Sequence, residues 1–112
     1  LITHFNIQLP VLCEFMNQIR AGYVRFKNPF HNYNHALTVM HATYYMLKIA
    51  GYKKNFSPLI QLGMLIAAYC HDVDHRGHNN AFEVSSKSTV AILYHDKSVL
   101  ENHHAAVAFS IL

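Results

Sequence analysis

Ser57-Pro-Leu-Ile-Gln-Leu-Gly-Met-Leu-Ile-Ala-Ala-Tyr-Cys-His-Asp-Val-Asp-His75 carries both the fold and the chemistry of this chain. Ser57 before Pro58 is a helix start, a serine cap with proline at the first helical position. The apolar run from Leu59 to Cys70 predicts a helix that reaches to about Asp72. The run is too short to span a bilayer and is interrupted by Gln61. It delivers two histidines and two aspartates at its end, so the element that builds the core also presents polar groups.

Outward from this stretch the signals are helical. Pro10 to Ala21 predicts a helix closed by Gly22, and Tyr23 to Phe30 a connector. His31 to Ala50 predicts a buried helix, apolar on most faces, stopped by Gly51. Arg76-Gly-His-Asn79 predicts a turn, with shorter helices over 80–86 and 88–94. Ser98-Val-Leu-Glu101 has capping-box spacing and opens a last helix. There is no strand pattern, repeat or low-complexity tract, so the expected class is all-α.

Composition narrows the rest. The 112 residues are 52% hydrophobic and 13% charged, which excludes disorder. Both ends lie in apolar sequence, as expected of a piece of a larger domain. The net charge of +3 comes from cations scattered along the chain. Nucleic-acid binding needs a dense basic stripe and is not expected, whereas a mild positive field suits an anionic phosphate substrate. Cys13 and Cys70 lie in apolar helical patterns with no signal peptide before them. No disulfide is expected, and the expected location is intracellular and cytoplasmic.

Ten histidines in so short a chain require an explanation, and metal binding supplies one. His31-Asn-Tyr-Asn-His35 and His71-Asp-Val-Asp-His75 each space two histidines four apart, which on a helix puts them on one face. One such pair is a weak signal; two pairs, one with an adjacent carboxylate, point to a metal centre. Imidazole nitrogen suits zinc, and a carboxylate can bridge to a harder ion such as Mg²⁺ or Mn²⁺. Ligands on different helices with positions left for water suit hydrolysis of a phosphate ester.

Three longer strings resemble one family. Asn28-Pro-Phe-His-Asn-Tyr-Asn-His-Ala36, His71-Asp-Val-Asp-His-Arg-Gly-His-Asn-Asn80 and Ala91-Ile-Leu-Tyr-His-Asp-Lys-Ser-Val-Leu-Glu-Asn-His-His104 are similar to the class I 3′,5′-cyclic-nucleotide phosphodiesterases of the HD superfamily. The resemblance begins at about Gln8 and runs through the rest of the chain. It implies an HD-type multi-helix catalytic domain of which residues 1–112 are the N-terminal part. It implies hydrolysis of cyclic AMP, cyclic GMP or both to the 5′-nucleotide, with two divalent metals, zinc and magnesium or manganese. His35, His71 and Asp72 would ligate the first metal, with Asp72 bridging to the second. His31 would be the general acid for the 3′ oxygen, oriented by a hydrogen bond to Glu101. His75 and Glu101 would hold waters of the second metal, and Asn80 would line the site.

Phe30 stands where the family usually has tyrosine, so it is expected to keep the apolar wall of the substrate site without the hydroxyl. The family's fourth metal ligand, its purine-binding glutamine and its aromatic clamp lie beyond this chain. The chain alone is therefore expected to be inactive. The choice of nucleotide, regulatory domains, oligomeric state and membrane association through other segments are left open. Another HD-type phosphohydrolase or a non-catalytic metal- or nucleotide-binding module are the alternatives.

Plainer roles are expected elsewhere. Glu101 fits a capping box with Ser98 as well as it fits a site. Asp74 is expected at a surface or turn, and His41 as a hydrogen-bonded core histidine. Packing is expected to explain Tyr44, Tyr45, Met46, Phe82 and Cys70, and packing and hydrogen bonding to explain His103 and His104 as well as chemistry does.

Overall fold

A computed structural model describes the backbone of residues 1–112 and all side chains but those of Tyr52 and Lys53. The elements in chain order are α1 (Leu9–Val24), α2 (Tyr33–Ile49), α3 (Tyr52–Asn55), α4 (Pro58–Cys70), α5 (Asn80–Ser85), α6 (Thr89–Leu93) and α7 (Val99–Ile111). The described residues contain no strand, so the expected all-α class holds. Among the described residues, no helix is long and apolar enough to cross a membrane.

Side-chain caps set most of the helix starts. Asn32 accepts from the backbone N–H of His35, Ser57 from Ile60, Asn79 from Phe82 and Ser88 from Ala91. Two boundaries differ from expectation in ways that shape the site. The second helix begins at Tyr33, which leaves His31 outside it, because Asn32 takes the capping position. The fourth ends at Cys70, so residues 71–75 form turns instead of a last helical turn.

Gly22 does not stop α1, which continues to Val24. Its role is close approach: a β-carbon there would lie 2.6 Å from Cγ2 of Val73. Ser98 is no cap either. Its backbone is left-handed (φ 42°), and its hydroxyl makes no capping bond.

The main core joins Ile19 and Tyr23 of α1, Ala36 of α2, Tyr69 and Cys70 of α4, Val73 and Ala108. Helices α2 and α4 lie against each other with the start of α2 beside the end of α4. Two tyrosines lock α1 to α4. Tyr23 donates to the carbonyl of Tyr69 (2.9 Å) and accepts from the N–H of Asp72 (3.1 Å), while Tyr69 donates to the carbonyl of Met16 (2.9 Å). Tyr23 thereby satisfies one carbonyl that the end of α4 leaves without a helical partner. A smaller core of Val90, Ala91 and Val99 holds α6 against α7.

The outer face of α2 is not core. Tyr44, Tyr45, Met46 and His41 are exposed, as is Phe82, so the expected burial of these residues is not found. The apolar pattern marks faces that the helices of this chain do not cover. An apolar groove of about 940 Å³ is lined by Leu12, Phe15, Met40, Leu47, Leu62 and Ile66 among others. The radius of gyration is 15.5 Å, against about 13 Å for a compact domain of this length.

Candidate metal and catalytic site

The site forms where the start of α2 meets the end of α4. Asn28 and Asn32 shape the approach to α2. The side-chain oxygen of Asn28 accepts from the N–H groups of Phe30 (3.1 Å) and His31 (3.0 Å), and Asn32 Nδ2 donates to the carbonyls of Asn28 and Pro29. This places His31 in the loop and His35 in the first turn of the helix. After α4, the N–H of Val73 donates to Cys70 and that of His75 to Asp72. These turns aim His71 and Asp72 at α2.

Three atoms converge. His35 Nε2 lies 3.2 Å from His71 Nε2 and 3.3 Å from Asp72 Oδ2, and His71 Nε2 lies 3.0 Å from Asp72 Oδ2. Ligand atoms at about 2.0–2.2 Å from one ion, at angles between right-angled and tetrahedral, are separated by about 2.8–3.6 Å. All three distances fall in that range. The chemistry of the donors agrees. His71 Nδ1 is 2.8 Å from the carbonyl of Ala68, so it carries a hydrogen and Nε2 is left with its lone pair. A lone pair 3.0 Å from a carboxylate oxygen is repulsive unless a cation lies between them. The hydrogen bond to Asp72 raises His71 against the opposing effect of burial, which is the same preference expressed with a proton. Burial pushes Asp72 up, but the hydrogen bond from His71 and the charges of His71, His104 and His31 hold it below the usual carboxylate range.

Asp72, His75 and His104 form a second group, with one side-chain N or O atom from each within 4.8 Å of the others. His104 Nδ1 donates to the carbonyl of Val73 (2.7 Å), which leaves Nε2 facing Asp72 Oδ1 at 3.8 Å. The rings of His31 and His75 stack at 4.1 Å and 13°, and those of His75 and His104 at 5.5 Å and 16°. Burial pushes both His75 and His104 down, and the charge of His31 pushes His75 further.

Several expected placements change. Neither histidine pair shares a helical face: His31 precedes α2, and His71 and His75 lie beyond the regular part of α4. Glu101 makes no hydrogen bond to His31. Its carboxylate receives Nδ2 of Asn80 (3.0 and 3.3 Å), which holds it below its ordinary range. Asn80 Oδ1 in turn accepts from the N–H of Leu100 and so caps α7 from outside, in place of Ser98. Asp74 is a turn residue, as expected, but not a surface one. It is 5% exposed with φ 62°, and its carboxylate takes His103 Nε2 (2.8 Å) and Arg25 Nη1 (3.2 Å). Phe30 is 64% exposed, with its ring 4.9 Å from that of His31 and 5.0 Å from that of His35. Cys70 is core, and Cys13 is exposed.

Sequence reasoning passed over Asn28 and Tyr23. Asparagine before proline is the usual start of an Asx turn and could have drawn attention to Asn28. A lone tyrosine near a helix end carries no comparable mark.

Residues 30–112 match the family model for 3′5′-cyclic nucleotide phosphodiesterase. The chain belongs to that family. It is 45% identical over its whole length to the 3′,5′-cyclic-AMP phosphodiesterase, isoform F, of Drosophila melanogaster, of which it covers 17%. It is 44% identical over its whole length to the mouse high affinity cGMP-specific 3′,5′-cyclic phosphodiesterase 9A, of which it covers 21%. Among solved structures, the phosphodiesterase domain of the RhoPDE fusion protein from the choanoflagellate Salpingoeca rosetta superposes with a TM-score of 0.93 at 46% identity. That match covers 99% of this chain and 34% of the other. The fold is thus that of the helical phosphodiesterase catalytic domains. The chain spans about a third of that solved domain and about a fifth of the curated relatives. Relatives named for different bases match it almost equally, so this segment does not divide them by base.

Proposed function

We propose that residues 1–112 belong to a catalytic domain that hydrolyses the 3′,5′-cyclic phosphodiester of cyclic AMP, cyclic GMP or both, and that they supply its metal-binding and acid groups. The observation that carries this is the triangle of His35, His71 and Asp72 beside a histidine that is not part of it. His35, His71 and Asp72 would hold a zinc ion, and Asp72 would also serve a magnesium or manganese ion. Bound there, the ions supply Lewis acidity toward a phosphoryl oxygen and make water a better nucleophile.

The chain's own groups do the rest. Water adds at phosphorus, the bond from phosphorus to the 3′ oxygen breaks, and that oxygen leaves as an alkoxide unless it is protonated. We assign delivery of that proton to His31, and its position outside the metal triangle supports this: its ring is 5.7 Å from that of His35, and it is half-buried against His75. Asn28 holds its backbone in place. Phe30 shields one side of His35 and forms an apolar wall at the mouth of the site. Glu101, fixed by Asn80, is a carboxylate for bound water and does not orient His31. The exposed faces of α2 and α4 are the surfaces against which the remainder of the catalytic domain would pack.

The test is turnover by the full-length protein. Incubation of cyclic AMP and cyclic GMP in ¹⁸O-water should give the 5′-nucleotide with one label on phosphorus, and a chelator should abolish it. Release of inorganic phosphate from nucleoside monophosphates, with the cyclic substrates left intact, would assign the chain to a different phosphohydrolase reaction.

A further inference from the structure

We propose that Asn28 is a positioning residue that fixes the tautomer of His75, making this ring a hydrogen-bond donor to the site and not a metal ligand; the functional meaning rests on the hydrolytic reading above. The argument begins with groups whose polarity is not open to choice. Backbone N–H groups only donate. Those of Phe30 and His31 both point at one end of the Asn28 side chain, so that end is the oxygen. The other end is therefore the NH₂, and it lies 3.2 Å from His75 Nδ1. Asn28 is 8% exposed, so little solvent competes for it.

A second donor reaches the same nitrogen. The backbone N–H of Gly77 points to His75 Nδ1 at 3.0 Å. The chain turns back sharply enough for this because Gly77 has φ +90°, a conformation that other residues rarely adopt. With two donors facing Nδ1, the neutral ring carries its hydrogen on Nε2. That nitrogen then has no lone pair to give an ion.

His71 and His104 are set the opposite way. Each gives its Nδ1 hydrogen to a backbone carbonyl, of Ala68 and of Val73, and keeps a bare Nε2. The three rings thus divide into two acceptors and one donor. The group of Asp72, His75 and His104 is one donor atom short as an ion cage, and His75 is suited to hold a water or a phosphoryl oxygen beside an ion. Because Asn28 also fixes the backbone of His31, whose ring stacks on His75 at 4.1 Å, one side chain places both groups.

The experiment uses the full-length protein loaded with zinc and magnesium and labelled with ¹⁵N-histidine. Long-range proton–nitrogen correlation reads the tautomer, with the His75 signals identified by their loss in His75→Gln. The expected result is a bare Nδ1 and a protonated Nε2. Asn28→Asp keeps the acceptor for the loop but turns a second oxygen toward the ring, so His75 Nδ1 should gain a proton. Turnover should fall about 10–100-fold, with metal content unchanged. Should that variant fail to fold, His75→Gln and His75→Glu still decide. Glutamine can offer an N–H near the position of Nε2 and should leave both metals bound, and glutamate should not restore turnover. A bare Nε2 in the wild type, or loss of the second metal in His75→Gln, would overturn the inference. Absence of cyclic-nucleotide turnover in the wild type would instead remove the hydrolytic reading and leave the tautomer result standing.

Discussion

His31-Asn-Tyr-Asn-His35 and His71-Asp-Val-Asp-His75 look like two copies of one device, yet the backbone treats them in opposite ways. The first straddles the start of α2, with His31 before the cap and His35 inside the helix. The second follows the end of α4, with His71 at the cap and His75 in the turn beyond a left-handed Asp74. Neither string brings its own histidines together at one point. The partners are crossed: His35 meets His71 with nitrogens 3.2 Å apart, and His31 stacks on His75 at 4.1 Å. Spacing within a string therefore matters less than the contact between the two helix ends. That contact sorts four similar imidazoles into a proposed ion-facing pair and a pair outside it.

The hardest test of this division is to remove one member of the ion-facing set. His35→Ala and Asp72→Ala should each lower zinc affinity by more than the roughly 10–100-fold typical of residues that only support a ligand. Chelator competition with the full-length protein measures it. Equal, small losses at both positions would dissolve the proposed triangle. The next test takes the other pair. His31→Ala should leave metal content intact and lower turnover about 10²–10⁴-fold on the natural leaving group, with a smaller loss on an activated one. Metal loss in that variant would move His31 into the ligand set.

A smaller effect is expected where the second string is anchored. Asp74→Ala strands His103 Nε2 at a half-buried position and places alanine in a left-handed backbone. The cost should be about 1–3 kcal/mol in denaturant unfolding. Asp74→Asn keeps an acceptor and tolerates that backbone, so it should cost less. If the two variants are equally stable, the link between α7 and the turn contributes nothing.

How much of this could be read in advance follows from which interactions are local. Caps at Ser57, Asn79 and Ser88 act within one turn, and the helices they open lie close to where the sequence places them. Ser98 failed because its capping role passes to Asn80, 20 residues away in sequence through its bond to Leu100. Asp74 lies in a turn as expected, but its burial is not legible for the same reason, since its partners are Arg25 just past the end of α1 and His103 of α7. The apolar face of α2 was mistaken for a core of this chain because a pattern records that a face is apolar but not what covers it. At the site, the motif strings mark the residues that could carry the chemistry. What they could not reveal is the direction of each ring, which is set by backbone groups such as Gly77 N–H and the Ala68 carbonyl. Those polar contacts have no sequence signature.

The smallest effect concerns Gly22, which the sequence offers as a helix stop and the fold uses as a gap. In the middle of a helix, glycine to alanine ordinarily stabilises by about 0.5–1 kcal/mol. Here the added carbon would lie 2.6 Å from Cγ2 of Val73, a side chain with no exposure. Overpacking of this kind costs about 1–3 kcal/mol, so Gly22→Ala should come out destabilising by roughly 0–2.5 kcal/mol after the helix gain is subtracted. Val73 lies between Asp72 and Asp74, and its carbonyl accepts from His104, so relief by shifting this residue would also displace the second string. Two measurements separate these outcomes. Val73→Ala removes the clashing methyl, and in that background Gly22→Ala should recover its ordinary stabilising sign. In the single variant, zinc affinity should fall alongside stability if the backbone at Val73 moves. A stabilising Gly22→Ala with unchanged zinc affinity would mean that α1 adapts by itself, and that its close approach does not hold the second string in place.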